Sequence, residues 1–218
     1  MLPEIRITAD GSHTLYRRDL DEHYHSLYGS LTESRHIFIE MGLRYRLDKG
    51  IACPIRIFEV GLGTGLNAVL TAMTGIKASY TAVEKYPVDV ETIRQLHFGD
   101  SIDHDLFAKI HQAPSNKRTD ILETFSILKL DKDFCSIDLP GIFDCIYMDA
   151  FAPEKQPEMW SHERLALLAE VLAPGGVLTT YCAKGSIRRD FESLGLIAER
   201  LPGPPGGKRE ILRVSKPY

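Results

Sequence analysis

The apolar residues of the chain fall into short runs, and segments with helical spacing separate most of these runs. The first strong run, Ile55–Val60, has apolar side chains on both faces, which is typical of a buried parallel strand. Further strands are predicted at residues 80–83, 125–130, 143–148 and 177–181, and helices at residues 67–74, 88–96, 102–110, 161–172 and 186–195. This alternation predicts an α/β fold, with a mostly parallel sheet.

Both ends of the chain are predicted to form antiparallel hairpins. Residues 5–16 alternate around Asp10-Gly11, a dipeptide favoured in tight turns because both of its positions tolerate positive φ. Near the other end, residues 197–201 and 210–214 flank a turn that is rich in glycine and proline. The closing hairpin completes a predicted seven-stranded sheet.

Size and composition fit one α/β domain with an extension. The chain has 218 residues, of which 44% are hydrophobic, and a chain of this size buries a single core. We therefore predict an N-terminal hairpin and helical extension at residues 1–54, with a helix from about Glu33, and one compact unit at residues 55–218. No apolar stretch approaches the ~20 residues of a membrane helix, and the first residues lack the features of a signal peptide. The sequence therefore predicts a cytoplasmic protein without a membrane partner.

A glycine-rich loop follows the first buried strand and is the strongest sign of a ligand. Glycines at every second position let the backbone turn tightly and approach a ligand, which a Cβ would obstruct. A dinucleotide fingerprint needs glycine at position 66, where Leu66 stands, so the loop favours S-adenosylmethionine over NAD or FAD. The predicted cofactor-binding residues of this loop are Glu59, Gly61, Gly63, Gly65 and Asn67. The alternative is a strand-to-helix turn that binds nothing.

Acidic residues follow three of the predicted strands. Glu84 closes the strand at residues 80–83, where a carboxylate accepts hydrogen bonds from ribose hydroxyls. Asp133 is placed to meet the adenine amino group, although an ordinary turn aspartate would stand there as well. Asp149 ends another buried strand. Ligands bind beyond the carboxyl ends of the strands at the switch between the halves of such a sheet, so Asp149 and Gly61 are expected to face one cleft.

The charge of the chain is uneven. The net charge of −4 argues against a generally basic nucleic-acid binder. Residues 184–218 nevertheless hold eight basic and four acidic side chains, a balance of +4, which leaves −8 for the rest. A local phosphate-binding surface and an ordinary solvated face both fit this pattern.

Cysteine and histidine give no sign of a metal. The four cysteines form no Cys-x-x-Cys pair, and we predict neither a disulfide nor a zinc site. His23 and His25 lie in a polar and aromatic stretch without a convincing third ligand, and both are expected at the surface.

Several stretches together resemble one family, the tRNA methyltransferases called MnmD, which also form the methyltransferase half of the bifunctional MnmC. The similar segments are residues 24–38, 59–67, 149–160, 180–189 and 202–210. The specific part is Asp-Ala-Phe-Ala-Pro followed by Pro-Glu-Met-Trp, with a late Lys-Arg-Glu. The resemblance implies a Rossmann-like class I S-adenosylmethionine-dependent methyltransferase. It also implies methylation of the amino nitrogen of 5-aminomethyl-2-thiouridine at the tRNA wobble position.

Roles are also predicted for individual residues. The resemblance implies that Asp149 is the catalytic acid, and Glu33 is predicted to be a further cofactor-binding residue. The rings predicted to stack on an extruded uracil are Tyr24, Tyr28 and Phe151, and Phe151 is equally well explained as a core residue. The side chains predicted to hold tRNA phosphates are Lys184, Arg188, Arg189, Lys208 and Arg209. We expect no fused FAD oxidase domain, so the carboxymethyl group would be removed elsewhere.

Two other functions stay open. A methyltransferase or aminopropyltransferase for a small free amine would share the fold and the acid after the fourth strand, but it would not require the basic C-terminal segment. A non-catalytic RNA-binding module is the third possibility, and the presence of both Glu84 and Asp149 argues against it.

Overall fold

The chain begins with a small antiparallel sheet. The structure is a computed structural model that describes residues 3–51, 53–139 and 141–218. The strands of the small sheet are β1 (Glu4–Ile7), β2 (His13–Arg17) and β3 (Glu22–His23). β1 and β2 are antiparallel, and Gly11 between them has a φ of 80°. The predicted N-terminal hairpin is confirmed, with β3 as an added third strand.

Eight strands form the main sheet, in the spatial order β10-β11-β9-β8-β4-β5-β7-β6. They are β4 (Ile55–Val60), β5 (Ala78–Glu84), β6 (Thr119–Leu122), β7 (Phe125–Asp131), β8 (Phe143–Met148), β9 (Leu172–Thr180), β10 (Ile197–Pro202) and β11 (Glu210–Ser215). The five central strands are parallel, whereas β6, β10 and β11 pair antiparallel. The mostly parallel sheet with its C-terminal hairpin is confirmed.

Two strands differ from their predictions. β6 is an eighth strand that the seven-stranded prediction lacks, because its four residues are too few to show an alternating pattern. β9 begins at Leu172, whereas the strand was predicted to begin at residue 177, so Pro174-Gly-Gly lies within the strand. Gly175 has a φ of 70°, and the pairing of β8 with β9 is irregular beside this segment. The glycines therefore form a bulge within the strand.

The helices cover both faces of the main sheet. They are α1 (Ser30–Ser34), a π-helical segment (Arg35–Arg44), α2 (Tyr45–Asp48), α3 (Leu66–Met73), α4 (Val90–Gln95), α5 (His104–Gln112), α6 (His162–Val171) and α7 (Gly185–Ser193), with a short 3₁₀ turn at Pro157–Trp160. The hydroxyl of Ser161 accepts a hydrogen bond from the backbone N–H of Arg164 and so caps the N-terminus of α6. Within the described ranges, no helix is long and apolar enough to cross a membrane.

The core has two parts, one on each face of the sheet. Ile57 and Tyr147 pack with the π-helical segment, α3 and α5, whereas Phe58 and Ile146 pack with α6 and α7. The π-helical segment lies so close to the sheet that a Cβ at Gly42 would come within 2.9 Å of the Thr179 hydroxyl oxygen. The predicted division at residues 54 and 55 stays a prediction.

Candidate active site

The glycine loop lies between β4 and α3, at the carboxyl edge of the sheet. Gly61, Gly63 and Gly65 have φ values of 85°, 50° and 76°, a region that side chains with a Cβ rarely adopt. A Cβ at Gly61 would lie 2.9 Å from the carbonyl oxygen of Asp149, and one at Gly63 would lie 3.0 Å from the ring of Tyr24. The loop therefore needs glycine both for its conformation and for its close neighbours.

A cavity of about 340 Å³ opens between this loop and the ends of the neighbouring strands. β4 and β8 lie side by side, so Gly61 and Asp149 face the same cleft, as the pattern of strands predicted. The predicted site residues that line the cavity are Tyr24, Gly61, Gly63, Asn67, Glu84, Asp133, Asp149 and Phe151. The structure thus brings together residues from five separate parts of the sequence.

Glu84 is held at one side of the cavity by the backbone. Its two carboxylate oxygens accept hydrogen bonds from the N–H groups of Gly63, at 3.0 Å, and Tyr86, at 2.9 Å. Burial raises the pKa of Glu84 above its usual value, and these two hydrogen bonds oppose that shift. Each oxygen keeps a free lone pair for a further donor, which fits a ribose with two hydroxyl groups.

Asp133 lies on another wall of the cavity, and its hydrogen-bond partners favour its ionised form. It accepts hydrogen bonds from the ammonium of Lys85, at 2.7 Å, and from the N–H of Cys135, at 2.9 Å. The bond from Lys85 lowers the pKa of Asp133 below its usual value. The Cys135 contact is also that of an ordinary turn aspartate, so the adenine contact stays a prediction.

Asn67 joins two carboxyl groups at the base of the cavity. Its amide nitrogen lies 2.9 Å from Asp149 Oδ2 and 2.9 Å from Glu59 Oε1. Glu59 is fully buried and does not line the cavity, so the structure places it one layer behind Asn67. Within the described residues, Glu59 Oε2 and Asn67 Oδ1 have no hydrogen-bond partner. A direct contact of Glu59 with the cofactor stays a prediction.

The surroundings of this pair of carboxyl groups favour their neutral forms. Burial raises the pKa of Glu59 to about 8. Burial also raises the pKa of Asp149 well above its usual value, and the neighbouring charges of Glu59 and Glu33 add to that shift. Asp149 is nevertheless partly exposed to the cavity, so it can exchange protons with a bound molecule. A carboxylate whose pKa is raised is a stronger proton acceptor than an exposed carboxylate.

Hydrogen bonds fix the loop that follows Asp149. Trp160 Nε1 donates to the carbonyl of Phe151 and the Tyr181 hydroxyl donates to the carbonyl of Ala150, both at 2.8 Å. The ring of Phe151 meets the ring of Tyr24 edge to face, with centroids 5.1 Å apart and planes at 84°. Phe151 therefore lies at the cavity wall and not in either core cluster. Both residues line the cavity.

Two predicted site residues, Tyr28 and Glu33, lie outside the cavity and their roles stay predictions, whereas His25 is buried. Tyr28 is 64% exposed and outside the cavity, so its stacking role stays a prediction. Glu33 is buried outside the cofactor cavity and accepts a hydrogen bond from the N–H of Ser26 at 2.7 Å. His25 was expected at the surface, but it is buried at the cavity wall and burial lowers its pKa to about 4. That expectation was wrong because His25 packs between segments distant in sequence, near Thr14 and Thr64.

The predicted phosphate-binding side chains have different surroundings. Lys184 pairs with Glu154 and Arg188 pairs with Glu192. Arg189 and Arg209 are exposed, and neither forms an ion pair with another described residue. The ammonium of Lys208 lies 3.5 Å from the centroid of the Tyr181 ring and thus turns toward the active site.

The sequence predicts neither a disulfide nor a metal site. The cysteines are free thiols. Within residues 3–51, 53–139 and 141–218, no group of three or more histidine, cysteine, aspartate or glutamate side chains is arranged to hold a metal ion.

Comparisons with known proteins define the class. The model of a family described as S-adenosyl-L-methionine-dependent methyltransferase matches residues 78–217. This is more than half of the chain, so the chain belongs to that family. Its cofactor is S-adenosylmethionine. The glycine loop, Glu84 and the cavity between them fit this group, because the loop offers backbone without side chains and Glu84 offers an acceptor for hydroxyl groups.

Relatives with a more specific description cover nearly all of the chain. The tRNA 5-methylaminomethyl-2-thiouridine biosynthesis bifunctional protein MnmC of Pseudomonas fluorescens strain Pf0-1 is 29% identical over 231 residues, which cover 98% of this chain and 35% of that protein. MnmC of P. fluorescens strain Pf-5 is 32% identical over 229 residues, and the match covers 97% of this chain and 35% of that protein. The chain therefore spans about a third of the length of these relatives.

Solved structures support the fold. The crystal structure of MNMC2 from Aquifex aeolicus has a TM-score of 0.81 and 24% identity, and the match covers 99% of this chain and 72% of that chain. Magnesium protoporphyrin IX methyltransferase from Synechocystis, with bound S-adenosylmethionine, has a TM-score of 0.57 and 11% identity. That match covers 86% of this chain and 81% of the methyltransferase. The Rossmann-like methyltransferase fold is confirmed.

Proposed function

We propose that this chain methylates the amino nitrogen of 5-aminomethyl-2-thiouridine at the wobble position of tRNA. The observation that carries the proposal is the position of Asp149, whose desolvated carboxyl group is bonded to the amide of Asn67 and lines the same cavity as Tyr24 and Phe151. The names of the relatives, which concern 5-methylaminomethyl-2-thiouridine in tRNA, support the choice of substrate.

The first task of the site is to remove a proton from the substrate. A primary alkylamine resembles lysine, whose pKa is about 10, so at neutral pH it is an ammonium without a lone pair. The raised pKa of Asp149 makes its carboxylate a better proton acceptor than an exposed aspartate. Asn67 holds one oxygen of that carboxylate at 2.9 Å and so fixes its direction.

The second task is alignment. Held by the glycine loop and Glu84, S-adenosylmethionine would supply an electrophilic methyl group, which would leave its sulfur for the nitrogen of the amine. Asp149 holds the amine by hydrogen bonds, and the proton that the amine loses passes through Asp149 to water. Positioning of this kind can supply about 7 to 11 kcal/mol of the barrier of a reaction between two groups. Tyr24 and Phe151 are proposed to stack on the extruded base, because an enzyme that acts on a base must first unstack it.

The cofactor contacts are proposed from the same geometry. Glu84 would hold the ribose and Asp133 the adenine amino group, while the glycine loop and Asn67 would hold the rest of the molecule. Glu59 acts through Asn67. A tRNA substrate implies that the protein acts in the cytoplasm, and the chemistry described needs neither a metal ion nor FAD.

Mass spectrometry of wobble nucleosides tests the proposal. After incubation with S-adenosylmethionine and tRNA that carries 5-aminomethyl-2-thiouridine, we expect one added methyl group on the wobble nucleoside. The Asp149→Asn variant keeps the shape of the side chain but not the base, and we expect it to lose at least about 100-fold in kcat with little change in cofactor affinity. Absence of methylation by the wild-type chain would contradict the proposal.

A small free amine is the second candidate substrate. The acidic surroundings of Asp149 suit an ammonium without any RNA, and two of the predicted phosphate ligands already have carboxylate partners. Free 5-aminomethyl-2-thiouridine nucleoside and tRNA should therefore be compared as acceptors. A kcat/KM that is no higher for tRNA would favour the small amine.

A further inference from the structure

Lys208 lies in an unexpected place for a residue of an exposed turn. It follows the glycine- and proline-rich segment between β10 and β11, and the residue as a whole is exposed. Its ammonium, however, lies 3.5 Å from the centroid of the Tyr181 ring. An ammonium at this distance from the face of an aromatic ring is attracted by the negative potential of that face.

The charges of three carboxyl groups act on the same ammonium. Burial lowers the pKa of Lys208, and the charges of Glu33, Asp149 and Glu22 oppose that shift. The hydroxyl of Tyr181 donates to the carbonyl of Ala150, so the ring is fixed beside the residue that follows Asp149. Lys208 forms no side-chain hydrogen bond or ion pair at hydrogen-bonding distance within the described chain. Among the described residues, the Tyr181 ring is therefore the close partner of this ammonium, and the acidic side chains act on it through their charge.

The Tyr181 ring and these carboxyl groups together have the chemistry of an ammonium-binding site. A π face together with carboxylates is the combination that proteins use for organic cations. The lysine side chain ends in a primary alkylammonium, which is the same group that an aminomethyl substituent presents at neutral pH. Asp149 lines the cofactor cavity, its charge acts on Lys208, and the Tyr181 hydroxyl bonds to the carbonyl of the next residue, Ala150. These contacts connect an ammonium on the Tyr181 face to the cavity through Asp149.

We propose that the face of Tyr181, with Asp149 and Glu33, forms the subsite for the acceptor amine, and that Lys208 occupies this subsite until the substrate ammonium replaces it. This inference rests on the proposed function and deepens it. The exchange replaces one ammonium by another, so the acidic side chains keep a cation throughout. It also makes the subsite selective, because a neutral group cannot compete with Lys208.

The turn that carries Lys208 is built to release it. Its backbone hydrogen bonds are local, from Gly203 N–H to the Arg209 carbonyl and from Gly207 N–H to the Pro204 carbonyl, both at 3.0 Å. Withdrawal of the side chain therefore breaks no hydrogen bond to the rest of the molecule. A withdrawn Lys208 would lie beside the exposed Arg209, where both could contact phosphate.

Binding of benzylamine, a primary aminomethyl group on an aromatic ring, tests the subsite. Isothermal titration would compare the wild type with Lys208→Met, which keeps the length of the side chain and removes its charge, in the presence of S-adenosylhomocysteine. We expect Lys208→Met to bind benzylamine roughly tenfold more tightly, because the competing ammonium is gone. Lys208→Arg should behave like the wild type, and benzyl alcohol should bind all variants equally weakly.

Two controls separate the subsite from a general charge effect. Arg200→Met removes a cation from the same hairpin, one that pairs with Glu210, and should leave benzylamine affinity unchanged. Tyr181→Leu in the Lys208→Met background should abolish the gain, whereas Tyr181→Phe should keep it. Thermal melting and S-adenosylhomocysteine affinity establish that each variant is folded, and Lys208→Gln replaces Lys208→Met if the latter is not.

The possible outcomes are distinct. Equal benzylamine affinity in the wild type and Lys208→Met, or an equal gain in Arg200→Met, would overturn the inference. If the wild type methylates aminomethyl-bearing tRNA in either case, the proposed function stands without this subsite. If the wild type fails to methylate tRNA while Lys208→Met gains affinity for benzylamine, the amine subsite stands and the tRNA assignment fails.

Discussion

Asn67 is the hydrogen-bond donor shared by the two carboxyl groups at the bottom of the cavity, those of Glu59 and Asp149. One amide nitrogen serves two carboxyl groups, each at 2.9 Å, and its hydrogen bond is the contact that lowers the pKa of Asp149 against burial. An apolar residue of similar size would leave both carboxyl groups without that donor. Asn67 is therefore a positioning residue, which acts on the substrate through Asp149.

A pH profile separates this role from a purely structural one. Asp149 must be ionised to accept a proton, and its raised pKa means that kcat/KM should rise with pH toward the alkaline side. Asn67→Leu removes a contact that lowers the pKa of Asp149, so the rise should move to higher pH. Rate measurements from pH 6 to pH 10 would show this shift. A variant that lost activity equally at every pH would instead indicate a structural role.

The raised pKa of Glu59 should make the stability of the folded chain depend on pH. Burial raises its pKa from the usual 4.5 to about 8 in the folded chain, so the folded state binds more protons than the unfolded state between these values. The free energy of unfolding should therefore be highest below pH 4.5, as far as Glu59 is concerned, and fall as pH rises through 8. Glu59→Gln removes this loss, at about 1.4 kcal/mol for each unit of pKa shift.

Denaturant unfolding at two pH values tests the role of Glu59. Relative to the wild type, Glu59→Gln should be more stabilising at pH 8.5 than at pH 5, because only the ionised carboxylate is penalised by burial. The exposed Glu123→Gln provides the matched control and should show no such difference. The explanation fails if the two variants change with pH in the same way.

At the scale of elements, the glycine loop is held against the end of β8. Gly61 and Gly99 have nearly equal φ values, 85° and 88°, but a Cβ at Gly61 would lie 2.9 Å from the Asp149 carbonyl, whereas none of the atoms considered lies within 4 Å of a Cβ at Gly99. Because φ is positive at both positions, Gly61→Ala and Gly99→Ala should each cost about 1 to 2 kcal/mol in backbone strain. Only Gly61→Ala should add a steric cost and weaken cofactor binding.

Chemical denaturation and cofactor titration of these two variants measure the two costs separately. We expect Gly61→Ala to lose more free energy of unfolding than Gly99→Ala, and only Gly61→Ala to lose affinity for S-adenosylmethionine. Similar losses in both variants would mean that β4 and β8 can move apart at no cost, contrary to the contact seen between them.

Local patterns were sufficient to predict most elements and part of the site. The glycine loop, Glu84 and Asp149 follow buried strands, and in a parallel sheet the ends of such strands meet by topology alone. The burial of His25 and the inward direction of Lys208 depend on segments distant in sequence, so no local pattern could indicate them. The same is true of Asn67, whose helix position was predicted but whose two carboxyl partners were not.

At the scale of the whole molecule, the question is how an acidic chain could bind tRNA. The net charge is −4, and two of the five predicted phosphate ligands are paired with carboxylates. A paired cation must give up its carboxylate before it gains a phosphate, so such residues contribute less to binding. The exposed Arg189 and Arg209 have no such cost, and the proposed tRNA contact should depend on them most.

The dependence of tRNA affinity on salt tests this ranking. Each phosphate contact releases counterions, so its loss should flatten the plot of log Kd against log salt by about one unit or less. Arg189→Ala with Arg209→Ala should therefore weaken tRNA binding and lower the slope by up to about two units, while S-adenosylmethionine affinity stays unchanged. Arg200→Ala with Arg213→Ala is the matched control, because these arginines pair with Glu210 and Glu199. If the control pair lowers the slope as much as the test pair, the general field of the molecule and not these two arginines governs the association.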